Sequence, residues 1–148
     1  MSDLLTLAQK CENAEGPDRR IDALIWLLQP CEAPDCNREL RDDIVKRFLA
    51  GQQWGDSEVP SYTASVDDAA SLVPEGLEWI VSNQRMKRLP DSTPKQFDGW
   101  AGVYGGPMVG SECDSFAANP ALALCAAALQ AEHYRASVST PGGPDAPA

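Results

Sequence analysis

Cysteine spacing offers the first chemistry that could be tested on this chain. Cys31 and Cys36 are separated by four residues, which is close to the spacing of paired zinc ligands. A zinc ion would need two further ligands, and the remaining candidates, Cys113 and His133, do not form a second close pair. We therefore predict no metal site and no cofactor. Cys31 and Cys36 are expected to be loop thiols, and the short loop between them would also permit a disulfide.

Acid–base or nucleophilic catalysis would need polar side chains that this sequence does not place together. His133 is the single histidine and lies near the end of the last predicted helix, where an exposed side chain is expected. Adjacent carboxylates occur at Asp42–Asp43 and Asp67–Asp68, but neighbouring residues on a helix point in different directions. We predict no catalytic residues, and a protein that is not an enzyme.

Ligand binding remains possible on a basic strip, a glycine cluster and several aromatic residues. The Gly102–Gly110 segment lacks the Gly-Lys-Ser/Thr ending of a P-loop, which favours a hairpin connection over a phosphate loop. The basic strip Arg85–Arg88 could bind an anion. The aromatic residues could stack on a base or a partner, or fill the core beneath a sheet; they are Trp54, Tyr62, Trp79, Trp100 and Tyr104.

The charge balance restricts the class of partner. The 148 residues include 22 Asp and Glu against 12 Lys and Arg, a formal net charge of −10. Such a surface repels nucleic acid and attracts basic proteins. The start Met1–Leu4 lacks a signal peptide's basic and apolar pattern, and no apolar run approaches the roughly 18 residues of a membrane span. We expect a cytoplasmic protein without direct nucleic-acid or membrane binding; its oligomeric state stays open.

Helices are predicted wherever apolar residues recur at helical spacing. Pro17 suits the first turn of the second helix, and Asn37, Ser65 and Asn119 are the predicted caps of later ones. The run Ala121–Leu129 is apolar nearly all round, which predicts a helix packed on more than one side. The predicted helices span about residues 3–14, 17–29, 37–50, 65–73 and 119–136.

Strand patterns lie between the last two helices. Leu77–Val81 and Phe97–Tyr104 are predicted strands, and a third is expected between Met108 and Phe116. Gly99 and Gly102 within the second strand indicate a bulge or a close approach by another backbone. The fold class is therefore α+β with a small antiparallel sheet of about three strands, in one domain over residues 1–136 with a flexible tail over 137–148. The residues expected to be buried are Leu24, Ile25, Leu28, Trp79, Leu122, Cys125 and Leu129.

Three segments resemble one known family. They are Cys11–Arg19 (CENAEGPDR), Pro60–Gly76 (PSYTASVDDAASLVPEG) and Asn119–Leu129 (NPALALCAAAL). All three resemble the phage ABA sandwich domain, a group of small bacteriophage and prophage proteins. The resemblance implies an α/β/α-type sandwich and a phage origin, and it carries over no catalytic residues. The helix around 37–50 and the loop before it are longer than in that family.

Two functions fit these features. The first is a non-catalytic phage or prophage protein that binds and inhibits a host protein with a basic surface in the host cytoplasm. Its concrete form is inhibition of a nucleic-acid-handling defence complex, in the manner of an anti-CRISPR protein. The alternative is a small-ligand-binding protein that sequesters a nucleotide immune signal, suggested by the glycine cluster, the Arg85–Arg88 strip and the aromatic residues.

A partner site is predicted on the third helix and the loop that follows it. This segment combines acidic residues with a tryptophan that could serve as an interface anchor, or could instead fold back onto the helices. The predicted partner-binding residues are Glu39, Asp42, Asp43, Trp54, Asp56 and Glu58.

Overall fold

The computed structural model describes residues 3–29, 37–52, 59–105 and 113–138. It confirms the α+β class and the three-stranded antiparallel sheet, and it adds a separate two-stranded hairpin. In chain order the elements are α1 (Asp3–Asn13), α2 (Arg19–Leu28), α3 (Arg38–Leu49), α4 (Val66–Ala70), β1 (Glu78–Ser82), β2 (Arg85–Arg88), β3 (Pro94–Phe97), β4 (Gly99–Tyr104), β5 (Cys113–Ala117) and α5 (Pro120–Val138).

Side-chain caps fix where the helices begin. Asn37, Ser65 and Asn119 accept hydrogen bonds from the backbone amides of Leu40, Asp68 and Leu122, as their types predict. The second helix starts two residues later than expected. Asp18 caps it by accepting from the Arg20 amide, so Pro17 precedes the cap rather than filling the first turn.

The sheet has the strand order β1-β4-β5, and β2 pairs only with β3. The predicted strand Phe97–Tyr104 is divided: Phe97 ends β3 in the hairpin, and Gly99 begins β4 in the sheet. The basic strip likewise belongs to β2 and does not continue β1, because Gln84, at a φ of 60°, turns the chain between the two strands.

Helix α5 is the centre of the core. Every residue from Ala121 to Leu129 is buried, because the helix packs on the sheet and on α1 and α4. The all-round apolar pattern therefore predicted its position correctly. Cys11 and Cys125 are buried at the contact between α1 and α5. The helix continues through Val138, two residues into the expected tail; residues 139–148 lie outside the described part.

Three of the residues that were expected to be buried are not fully buried. Ile25, Leu122, Cys125 and Leu129 are buried, while Leu24 and Leu28 are half-buried against the same core. Trp79 was expected to be buried, and this prediction is wrong: the side chain is 39% exposed. Trp79 lies on the outer strand β1, opposite the buried Val103 of β4. An edge strand receives packing from one neighbour only, so alternation alone does not ensure burial.

Helices α2 and α3 form a second, smaller core. Ala23, Ile44, Val45 and Phe48 pack there with Val59. Leu40, one turn before Ile44 on α3, lies outside this core and is 48% exposed.

Candidate functional site

The partner site predicted on the third helix is only partly within the described residues. Glu39 is exposed on α3, and Asp42 and Asp43 are partly exposed on its next turn. Asp43 lies 3.1 Å from the guanidinium of Arg47, as the i, i+4 spacing predicts, and Asp42 lies 3.8 Å from that of Arg38. The other predicted members, Trp54, Asp56 and Glu58, fall outside the described residues.

A second site lies where the hairpin meets the end of α1 and the end of β5. The three elements enclose a groove of about 620 Å³. We call this space the hairpin groove. The residues on which its chemistry depends are Glu12, Glu15, Lys87, Lys95, Phe97 and Phe116.

Strand register explains why the basic side chains of the hairpin lie beside aromatic rings. In the hairpin, Arg85 pairs with Phe97 and Lys87 with Lys95, so all four side chains share one hairpin face. On the sheet, Trp100 pairs with Phe116, on the face opposite to the one that packs against α5. The hairpin therefore lies over that second face of the sheet.

The contacts alternate between cations and rings. The Arg85 guanidinium lies 4.0 Å from the centre of the Trp100 ring, and the Lys87 ammonium lies 5.3 Å from that of Phe116. Lys95 lies 4.7 Å from the Phe97 ring, and the centres of Phe97 and Phe116 are 5.5 Å apart. Each contact is within cation–π or aromatic-pair range, so the rings help to hold the cations beside the groove.

Glycine at position 102 makes room for one of these rings. A Cβ atom there would lie 3.3 Å from two carbons of the Trp100 ring and 3.2 Å from an oxygen of Asp114. The Trp100 side chain can therefore lie along its own strand beneath Arg85.

The other wall of the hairpin groove is acidic. Behind it, the buried Ser115 hydroxyl accepts a hydrogen bond from Nε2 of Gln130, at 3.1 Å. Burial raises the pKa of the Glu12 carboxyl, and the Ser115 hydroxyl and the Lys87 charge oppose that rise. Glu15, three residues later and beyond the end of α1, lines the same groove. The groove thus has a basic, aromatic wall facing a carboxylate wall.

The other residues considered for chemistry occupy different surroundings. Tyr62 is buried, which raises its pKa to about 12, and Trp79 and Tyr104 lie on the sheet, so the aromatic residues do not form one cluster. His133 lies on α5 with its ring 5.5 Å from that of Tyr134. Within the described ranges, no group of three or more His, Cys, Asp or Glu side chains could hold a metal ion. Cys31 and Cys36 are outside these ranges.

Sequence reasoning missed five of the six groove residues, Glu12, Glu15, Lys95, Phe97 and Phe116. One signal was available: Arg85–Arg88 and Pro94–Phe97 flank a short turn-forming segment, which is a hairpin pattern. That pairing would have placed Lys95 and Phe97 on the face of Arg85 and Lys87. Glu12 could not have been found in this way, because it comes from a distant helix.

Comparison with known proteins adds no relative. No protein-family model, curated protein or solved structure matches this chain. Among the described helices, none is both long and apolar enough to span a membrane.

Proposed function

We propose that the protein is a non-catalytic binding protein that holds a nucleotide-class ligand in the hairpin groove. The observation that carries the proposal is the pair of unlike walls: lysines that lie over aromatic rings line one groove with the carboxylates of Glu12 and Glu15. A ligand that satisfies both walls needs an anionic group, a planar ring and hydrogen-bond donors. A nucleotide supplies all three in one molecule.

Size and chemistry both support this ligand class. The groove volume of about 620 Å³ is within the range of small-molecule sites, roughly 300 to 1,000 Å³. Phe97 and Phe116 are only half-buried, so ring surface remains for stacking, which contributes about 1–3 kcal/mol per base in known proteins. Lys87 and Lys95 are exposed at the same wall and can donate charge-assisted hydrogen bonds to phosphate.

Calorimetric titration with nucleoside monophosphates tests the proposal. The double variant K87M/K95M keeps the apolar stems and removes both charges, so we expect at least tenfold weaker binding, because each charged hydrogen bond contributes roughly 1.5–3 kcal/mol. The control R20M removes one charge on exposed α2, away from the groove, and should bind like the wild type. Binding should weaken as salt is added. The proposal fails if no nucleotide binds at millimolar concentration, or if K87M/K95M binds as well as the wild type.

A second candidate function, inhibition of a host protein by a phage-type protein, is favoured by α3. Leu40 is a large apolar side chain, 48% exposed, with Glu39 beside it and Asp43 one turn away. An apolar residue ringed by carboxylates suits docking onto a basic protein surface. Phage plaquing on bacteria with an active CRISPR system tests this. Wild-type protein should raise plaquing, and the triple charge reversal E39K/D42K/D43K should abolish the rise; an equal rise with the variant would refute docking through α3.

A further inference from the structure

We infer that the ligand of the hairpin groove carries two separate phosphate groups, one bound by Lys87 and Lys95 and the other by Arg85. A nucleoside 3′,5′-bisphosphate, whose phosphates lie on two sides of one sugar, has this chemistry. This inference rests on the proposed function. It concerns the phosphates of the nucleotide and not its base.

The hairpin concentrates positive charge on a chain that is acidic overall. Strands β2 and β3 together carry four basic side chains and no acidic one, although the formal net charge of the chain is −10. All four side chains are exposed; they are Arg85, Lys87, Arg88 and Lys95. A local excess of one sign on an exposed surface attracts ligands of the opposite sign.

Lys87 and Lys95 form the first phosphate position. The two residues are directly opposite each other in the register of β2 and β3, and both line the groove. Like charges directly opposite each other on one face of a hairpin destabilise the strand pair. A phosphate bound between the two ammonium groups removes this repulsion and accepts a charge-assisted hydrogen bond from each.

Arg85 forms the second position, because its guanidinium has hydrogen-bond donors that the protein does not use. In the part of the chain that the structure describes, no oxygen accepts a hydrogen bond from this guanidinium and no carboxylate forms a salt bridge with it. The guanidinium groups of Arg19, Arg41 and Arg88, in contrast, donate to backbone carbonyl oxygens. The Trp100 ring, 4.0 Å from Arg85, supports the cation but offers no oxygen acceptor. The donor fork of Arg85 is therefore available to two oxygens of a phosphate.

Strand geometry separates the two positions by about the width of one sugar. Arg85 and Lys87 are two residues apart on the same face of β2, so their Cα atoms are roughly 6.8 Å apart. The rings below them, Trp100 and Phe116, are directly paired on neighbouring strands, which places the two cations side by side. The two phosphorus atoms of a diphosphate are closer together than this, whereas phosphates on the 3′ and 5′ oxygens of one ribose are comparably far apart. Arg85 does not line the groove itself, so the second phosphate extends beyond it.

The experiment compares three adenosine ligands by calorimetric titration: the 5′-monophosphate, the 5′-diphosphate and the 3′,5′-bisphosphate. The bisphosphate should bind about tenfold more tightly than the monophosphate, the effect of hydrogen bonding by one more charged group. The diphosphate adds its second phosphate directly beside the first, so it should bind within about threefold of the monophosphate.

Variants assign the preference for the bisphosphate to Arg85. R85M should reduce the ratio of the bisphosphate and monophosphate affinities to within about twofold, and R85K, which keeps the charge, should keep a larger ratio than R85M. The control R20M removes an equal charge from exposed α2 and should keep the tenfold ratio. A hairpin that docks less well weakens the binding of both ligands, so the ratio still reports the second phosphate.

The outcomes separate the two proposals. If the wild type binds the monophosphate and the bisphosphate equally, or if R85M keeps the full ratio, the second phosphate position fails and the nucleotide site stands. An equal gain for the diphosphate would also overturn the second position, because total charge would then set the affinity. If none of the three ligands binds at millimolar concentration, the proposed function fails and the second position fails with it.

One further ligand identifies the source of the two phosphates. The internal nucleotides of a tetra-adenylate carry phosphates at both positions, as diesters. Tighter binding of the free bisphosphate than of the tetra-adenylate would identify a small-molecule ligand, and the reverse would identify a single strand. Both results support the two phosphate positions, whereas a tetra-adenylate and a bisphosphate that each bind no better than the monophosphate would refute them.

Discussion

Gly99 at the start of β4 lies directly against the backbone of Asn119 at the start of α5. A Cβ atom at position 99 would stand 2.1 Å from both the carbonyl carbon and the carbonyl oxygen of Asn119. Backbone atoms cannot turn away as a side chain can, so only glycine permits this approach. The contact joins the sheet to the cap of the central helix.

Replacement of Gly99 should therefore destabilise the whole fold. We expect G99A to lower the free energy of unfolding by about 3 kcal/mol, at the upper end of overpacking effects. The control G16A places a Cβ atom in open space and should change the free energy by less than about 1 kcal/mol. Urea denaturation followed by circular dichroism measures both. Equal stability of the two variants would show that α5 can shift away from the sheet.

The contribution of Asp22 to the stability of the fold depends on pH. Its buried carboxylate accepts from the Thr63 amide at 2.7 Å and from Arg19 at 2.9 Å. Burial outweighs these partners and raises the pKa of Asp22 above its ordinary 3.8. The folded state then holds the proton more tightly than the unfolded chain. The contribution of Asp22 to the free energy of unfolding is complete below pH 3.8, and it is lost as the pH rises through the raised pKa of the folded state.

The variant D22N isolates this term because asparagine does not titrate. The free energy of unfolding of the wild type, minus that of D22N, should fall as the pH rises above 3.8. Urea melts across this range give the difference directly. A difference that grows with pH would mean that Arg19 and Thr63 outweigh burial.

The hairpin should open independently of the core. A two-stranded hairpin is marginal on its own, so contacts such as that of Arg85 with Trp100 keep it on the sheet. We expect R85M to speed amide hydrogen exchange in β2 and β3 about two- to fivefold, the equivalent of about 0.5–1 kcal/mol for an exposed cation–π contact. R20M, which removes an equal charge from α2, should leave this exchange unchanged. Unaltered hairpin exchange in R85M would assign the docking to Phe97 and Phe116.

The buried thiols should resist alkylation while the protein is folded. Contact with Cys11, followed by burial, raises the pKa of Cys125, and its Sγ donates to the Tyr62 carbonyl at 3.1 Å. Burial and the Asp114 charge raise the pKa of Cys113 to about 11. Because the thiolate is the reactive form, iodoacetamide at about pH 8 should label Cys11, Cys113 and Cys125 only after urea unfolds the chain. Peptide mass spectrometry identifies the labelled sites, and rapid labelling of Cys125 in the folded protein would contradict its burial.

Local patterns in the sequence determined the helices and their caps. Asn37, Ser65 and Asn119 act on amides three residues away, so their roles are fixed by nearby residues. The apolar run Ala121–Leu129 likewise determined which helix lies at the centre, since no arrangement could leave such a surface in water. The glycines of the second predicted strand indicated either a bulge or a close approach by another backbone. Gly99 makes such an approach, and the sequence did not specify to which backbone.

Only the tertiary structure decided the hairpin groove. Glu12 and Ser115 come from opposite ends of the chain and meet because α1 packs beside β5. Lys87 meets Phe116 because the hairpin folds over one face of the sheet, and the pattern of its strands does not specify which face. Trp79 shows the same limit, since alternation placed it on the inner face while its position on an edge strand left it exposed. Periodicity sets the direction of a side chain within its element, but the contact it makes depends on which elements pack together.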